Sequence, residues 1–475
     1  MSIIKKTKTN FISLTVLSTV DRTASVILVL LMARYLGART YGEYAFAFAV
    51  ANIVLAFSDL GINTLLTRDL AKDPGLQQRY LSNALGIKII STMLVLLLIA
   101  ALNSVVPIFK ESALVIFLVV LNHGLRVVSS TFIAVVRANM KMQYEAAAGI
   151  LNRLLSLAGG VAALLAGYGL VTVVSVFLVA SAIEFLYLAG MVQARFTPFR
   201  VRFDFAEQKR MVRKSLPFLL MIFLALVNYR LDAILLGILH GKEATGVYSA
   251  AYVLVLNLIL FQQIAGRVLL PLLSQCPPNQ KEPFQKYCRQ TIKGLVVLAL
   301  FVVLTVLGYS DQIISLLYSD DFQDAAGCLR ILIFAVAFMF VSHILFIALI
   351  ALKKERQVTK GWLAAVTVNV VLNLLLIPKF SYLGACAATV AAEFTLCVFN
   401  YYHLIVVNRY SLLPKLDWLK VGMPFLAGGI FILLIPQMSM FYAVPLLLLV
   451  YGLFLIVGRA FSRAELSDWI KFIRV

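Results

Sequence analysis

Apolar runs long enough to cross a bilayer follow one another almost from end to end of the chain, and the polar breaks between them are short. A span needs about 20 apolar residues. Broken at charged and Pro/Gly clusters, the sequence predicts fourteen helices at roughly 10–36, 41–66, 80–102, 112–137, 145–166, 169–193, 215–239, 244–273, 287–309, 325–352, 358–377, 381–407, 418–435 and 441–458. With 62% hydrophobic and 13% charged residues, the chain falls far below the roughly 25% charge of a soluble domain. The reading is an all-α polytopic membrane protein with no sizeable domain outside the lipid, which excludes a large water-soluble enzyme.

The net charge of +20 is first a matter of topology. If the amino terminus lies inside, the cytoplasmic segments and the helix turns beside them hold 30 of the 42 Lys and Arg, and the outer loops hold four, Arg39, Lys110, Lys242 and Lys379. Positive residues collect in cytoplasmic loops, so both termini are expected in the cytoplasm and nucleic-acid binding is not. The first run follows Lys5, Lys6 and Lys8 but carries Asp21 and Arg22 and has no small-residue cleavage site, so it reads as a retained span rather than a signal peptide. The outer loops are short, and the longest is acidic, with Asp311, Asp320, Asp321 and Asp324. A membrane glycan polymerase or ligase, the rival from a different class, would need a catalytic outer segment that these loops do not supply.

The five cysteines show no metal-ligand or disulfide spacing, His123 stands alone, and no Walker-type loop, GxSxG or paired-carboxylate motif occurs. The chain is therefore read as a non-enzyme without cofactor or metal.

The sequence also repeats. Shifted by 204 residues, the segment from Gly37 overlays the segment from Gly241, matching Gly42 with Gly246, Tyr44 with Tyr248, Ala47 with Ala251 and Phe57 with Phe261. Both copies form the turn between the first two spans of a six-span set, and an even number of spans gives halves of the same orientation. The expected organisation is a six-helix bundle over 1–195, a basic cytoplasmic linker over 196–214, a second six-helix bundle over 215–407, and two added helices with a tail over 408–475.

The segment ARYLGARTYGEYAFAFAVANIVLAFSDLGINTLLTRDLAKD, from Ala33, resembles the amino-terminal signature of the bacterial polysaccharide and O-antigen (Wzx-type) flippases of the multidrug/oligosaccharidyl-lipid/polysaccharide exporter superfamily. YRLDAILLGILHGKEATGVYSAAY, from Tyr229, resembles its counterpart in the second half, and NVVLNLLLIPKFSYLGACAAT, from Asn369, resembles the turn between spans eleven and twelve. The resemblance implies a transporter of the inner membrane that moves an undecaprenyl-diphosphate-linked oligosaccharide from the cytoplasmic to the periplasmic leaflet. Its partners would be that lipid-linked cargo and membrane lipids, with room for glycan-assembly proteins. A multidrug exporter and a peptidoglycan-precursor flippase of the same superfamily remain alternatives.

Charges inside spans are costly unless they pair or face a wet cavity. Eight basic residues, Arg22, Arg34, Lys88, Arg126, Arg153, Arg230, Arg267 and Arg330, face five acidic ones, Asp21, Asp59, Glu184, Asp232 and Glu393. Arg binds phosphate bidentately and stays protonated when desolvated, so Arg22, Arg126, Arg153 and Arg267, with Lys88, are the candidates for a cationic cavity holding the diphosphate. Asn122, Arg126 and Ser130 share a helix face, as do Arg153 and Ser156, with Asn152 beside them, and so do Asn52, Asp59 and Asn63. Asp59, Asp232, Glu393 and Asp21 are candidates either for coupling to an H+ or Na+ gradient or for structural pairing with an intramembrane Arg. The structural alternative for each cation is an ion pair between helices, or snorkelling.

Overall fold

The computed structural model describes residues 3–276, 281–410, 418–435 and 438–461, and among these the chain is helical without strands. A chain in lipid must satisfy its backbone polar groups internally, and apolar helices do so segment by segment. The chain packs as two compact units, Met1–Ser249 and Ala250–Val475.

Unit one begins with α1 (Ile3–Asp59) and the short α2 (Ile62–Lys72). It continues through α3 (Gln77–Val105), α4 (Pro107–Glu111), α5 (Ala113–Ala138), α6 (Gln143–Leu165) and α7 (Leu170–Arg195), and takes in the start of α8 (Phe205–Gln275). Unit two holds the rest of α8, α9 (Lys281–Leu317), α10 (Ala325–Ala351), α11 (Glu355–Tyr401), α12 (Trp418–Leu434) and α13 (Met440–Val457).

Among the described helices, ten are long and apolar enough to cross a membrane, and Gly422–Leu434 is shorter. Three of the ten are double length and broken. The breaks fall at Gly37 (φ 76°) in α1, Gly241 (φ 83°) in α8 and Ser381 (φ 49°) in α11. Counted arm by arm, the described helices give the fourteen that the apolar pattern predicts. Gly37 and Gly241 are the repeat-related glycines, and both adopt a backbone that L side chains avoid and glycine does not. The repeat therefore marks two equivalent turns.

The same repeat brings two helices into contact inside unit one. A Cβ placed on Gly42 would lie 1.7 Å from the carbonyl oxygen of Lys242, and one placed on Gly246 would lie 2.0 Å from that of Ala38. Ala38 and Lys242 are themselves related by the 204-residue shift, so the crossing is self-matching. Lipid tails are as apolar as Leu, so helix association in a membrane rests on close packing and buried hydrogen bonds, and small residues allow that approach.

α1 packs against α6 and α5, and α7 packs against α5 and α6. One end of this bundle is closed by a cluster with Leu65, Leu66, Leu81, Phe132, Val135 and Leu188 at its centre. In unit two, α10 lies between α9 and α11, while α12 and α13 pair with each other and lean on α9. The Tyr451 hydroxyl donates to the carbonyl of Val297 at 2.9 Å across that last contact.

Three boundaries differ from the sequence reading. The helix expected over 41–66 stops at Asp59, because Leu60 (φ 51°) and Gly61 (φ 72°) turn the chain into α2, whose Ile62, Leu65, Leu66 and Leu70 are buried. The acidic loop after the ninth span stays helical past Tyr309 to Leu317. The stretch 196–204 is irregular but held: Arg202 N–H donates to the carbonyl of Ser82 at 3.1 Å, Asp204 N–H to Asn83 Oδ1 at 3.1 Å, and Arg79 pairs with Glu207 at 2.6 Å. From Phe205 the chain is already α8.

Candidate functional site

Within unit one a cavity of about 500 Å³ opens among α1, α2, α5, α6 and α7. The three polar sets legible in the sequence converge on it. Asn122, Arg126 and Ser130 come from α5, Asn152, Arg153 and Ser156 from α6, and Asn52, Asp59 and Asn63 from α1 and α2. Helical residues three or four apart share a face, so each set places its polar groups on one wall and leaves its other faces to packing or lipid.

Of the four charged residues that line the cavity, Asp59 and Arg153 are already engaged. Arg153 pairs with Asp21 through its Nε. Lys88 is fully buried, at 0% exposure, and its ammonium lies 2.9 Å from Asp59 Oδ1. It also donates to Asn63 Oδ1 at 2.5 Å, to the Val127 carbonyl at 3.0 Å and to Ser130 Oγ at 3.1 Å. Lys88 thus joins α3 to the end of α1, to α2 and to α5 from behind the cavity wall, and only its partners Asp59, Asn63, Val127 and Ser130 line the space. Asn152 donates to Ser181 Oγ at 3.2 Å, tying α6 to α7.

Two charged liners have no such partner. Arg126 is exposed to the cavity and makes no ion pair or hydrogen bond among the described residues; Glu184 of α7, only 7% exposed, likewise makes none. Their charges act on each other and on Arg153 and Asp21 across the space. Arg230 adds positive charge beside the cavity, with its guanidinium 4.8 Å from the ring centre of Phe48. Phe48 in turn meets His123 edge-on at 4.9 Å, and His123 Nδ1 bonds the Val119 carbonyl at 3.0 Å. Among the described residues there is no group of three or more His, Cys, Asp or Glu that could hold a metal.

The remaining candidates lie elsewhere. Arg22 is half-buried on α1 beside Asp21 and does not line the cavity. Asp232, also in unit one, is 1% exposed and accepts a hydrogen bond from the Tyr248 hydroxyl at 2.6 Å. Arg267 is exposed on α8 in unit two, and Glu393 is buried in α11 at 2% exposure.

Glu184 is one of the five interior acids of the sequence, where nothing assigns it a role. The signal was its spacing of three from Ser181, two polar residues on one face of an otherwise apolar helix. The cavity aromatics Tyr44, Phe48 and Phe177 carry no sequence mark that separates them from packing residues.

The family model described as polysaccharide biosynthesis protein matches residues 7–276. The chain is 22% identical over 412 residues to a probable low-salt glycan biosynthesis flippase, Agl15 of Haloferax volcanii, covering 84% of each chain. It is 27% identical over 201 residues to the capsular polysaccharide biosynthesis protein CapF of Staphylococcus aureus, covering 42% of this chain and 50% of that one. In fold it is similar to the lipid II flippase MurJ in an inward closed conformation, with a TM-score of 0.76 at 14% identity, over 96% of this chain and 99% of that one. It is also similar to a multidrug resistance MATE family transporter in an inward-facing conformation, with a TM-score of 0.61 at 13% identity, over 85% and 99%.

Proposed function

Because the chain belongs to the polysaccharide biosynthesis protein family, we propose that it is a flippase for a lipid-linked glycan, and more narrowly for an undecaprenyl-diphosphate-linked oligosaccharide destined for an O-antigen-like surface polysaccharide. The cargo would pass from the cytoplasmic to the periplasmic leaflet of a bacterial inner membrane by alternating access, with both termini of the protein cytoplasmic.

The observation that carries this reading is Arg126. A guanidinium without an ion pair or hydrogen bond among the described residues, standing in a cavity within a bundle of membrane-length helices, offers an anion five donors in a planar fork that matches phosphate. The amides and hydroxyls around it offer the donors and acceptors a sugar needs, and Arg153 can join Arg126 if Asp21 releases it. A carrier of cationic drugs would place an unopposed acid there without an unopposed guanidinium, so the multidrug alternative fits the cavity less well. The flippase named among the relatives, which aligns over most of its length, supports the same reading.

Energy belongs to the same proposal. Two negative charges leaving the cytoplasm gain about 2.3 kcal/mol each per 100 mV of potential, and coupling to an H+ or Na+ gradient through Asp232 or Glu393 would add to that. The test is flipping of a fluorescent undecaprenyl-diphosphate oligosaccharide in proteoliposomes. Arg126→Ala should slow it by about tenfold to a hundredfold, the worth of a charge-assisted hydrogen bond. An undiminished rate would overturn the assignment of the cavity.

A further inference from the structure

A phosphate needs cations and N–H donors. Glu184 is neither, yet it lines the same cavity as Arg126, is 7% exposed, and has no ion pair or hydrogen bond of its own among the described residues. Near a bound diphosphate an ionised carboxylate repels, and a neutral one spends its only proton without gaining a fixed partner. The cavity also keeps Asn122 Oδ1 buried without a hydrogen-bond partner among the described residues. These are two acceptors waiting for donors, on α7 and α5, with the donor-only guanidinium of Arg126 one helical turn from Asn122.

Resting on the flippase reading, we propose that the cavity in unit one is a two-part site in which Arg126 takes the phosphate and Glu184, with Asn122, reads the sugar attached to it. A carboxylate accepts from two neighbouring sugar hydroxyls, or from a sugar ammonium; the shared chemistry is donation from the first sugar of the cargo. The aromatic rings of Tyr44, Phe48 and Phe177 on the same walls give that sugar an apolar face to lie against. The flippase would thereby discriminate cargo by the sugar next to the diphosphate as well as by the diphosphate.

The experiment is equilibrium binding to the full chain in nanodiscs with three short probes: farnesyl diphosphate, farnesyl-diphosphate-glucose and farnesyl-diphosphate-glucosamine with a free amine. The wild type should bind one or both sugar probes about tenfold tighter than the sugarless one, the low end for hydrogen bonds to a charged acceptor. Glu184→Gln should bring that ratio to about threefold or less while leaving farnesyl diphosphate bound as tightly or more so. That retained affinity also shows that the variant is folded. Selectivity confined to the glucosamine probe assigns an ammonium partner, and selectivity for both assigns hydroxyls. A sugar-to-sugarless ratio unchanged by Glu184→Gln overturns the inference and leaves the phosphate site standing. Failure of the wild type to bind any of the three probes overturns the flippase reading itself.

Discussion

Lys88 offers the sharpest test of what the interior charges are for, because one substitution separates a cargo cation from a structural tie. Its ammonium is 0% exposed and pairs with Asp59, which is 18% exposed, at 2.9 Å, and it donates to three further oxygens on α2 and α5. Lys88→Met keeps the volume of the stem and removes the charge. It strips the donor from Asn63 Oδ1, leaves the Val127 carbonyl with the Ser130 hydroxyl as its side-chain donor and leaves Asp59 without its counter-charge. Removing one partner of a buried pair costs about 3–5 kcal/mol, and the part exposure of Asp59 to the cavity places the loss at about 3 kcal/mol. Asp59→Asn in the same background relieves the orphaned charge, so Lys88→Met/Asp59→Asn should be more stable than Lys88→Met alone. The assay is unfolding of the purified chain in mixed micelles titrated with SDS, followed by far-UV circular dichroism. Farnesyl diphosphate binding, measured in the temperature range where the variant stays folded, should be close to wild type. A stability loss below about 1 kcal/mol, the ordinary size of a surface ion pair, or a binding loss matching that of Arg126→Ala, would refute the reasoning.

Other outcomes follow from the same contacts. Gly42→Ala and Gly246→Ala should each lower stability by about 1–3 kcal/mol and impair flipping, since the new methyl would meet a backbone carbonyl at 1.7 or 2.0 Å. Gly190→Ala, where a Cβ would meet nothing within 4 Å, should be neutral or stabilising by up to about 1 kcal/mol in the same unfolding assay. In proteoliposomes, an imposed potential, negative on the side where cargo loads, should speed flipping. A rate indifferent to both H+ and Na+ gradients would remove the proposed coupling through Asp232 or Glu393.

The architecture was legible because each of its signals is local. Fourteen apolar stretches, two glycines at matching offsets and a Pro378–Ser381 turn are statements about single segments, and the helices break at Gly37, Gly241 and Ser381 accordingly. The boundary at Asp59 was missed because Leu60 takes a left-handed conformation that no leucine advertises. Polar stripes on α5 and α6 were readable for the same local reason: helical period fixes which residues share a face. The partners across that face were not. Lys88 and Asp59 are 29 positions apart, and Arg153 and Asp21 are 132 apart, so the sequence shows four separate charges where the fold closes two pairs at the cavity wall. Glu184 stands out because no ion pair or hydrogen bond holds it among the described residues, which a one-dimensional pattern does not express.

Duplicated segments drift apart wherever each copy's side chains meet only their own surroundings. At positions 42 and 246 that freedom is missing, because each glycine faces the backbone of the other copy and a methyl gained on either side is felt by both. A substitution in one copy therefore has no remedy within that copy. The two positions are thus constrained as one, and room for a side chain at either would have to come from moving both helices apart.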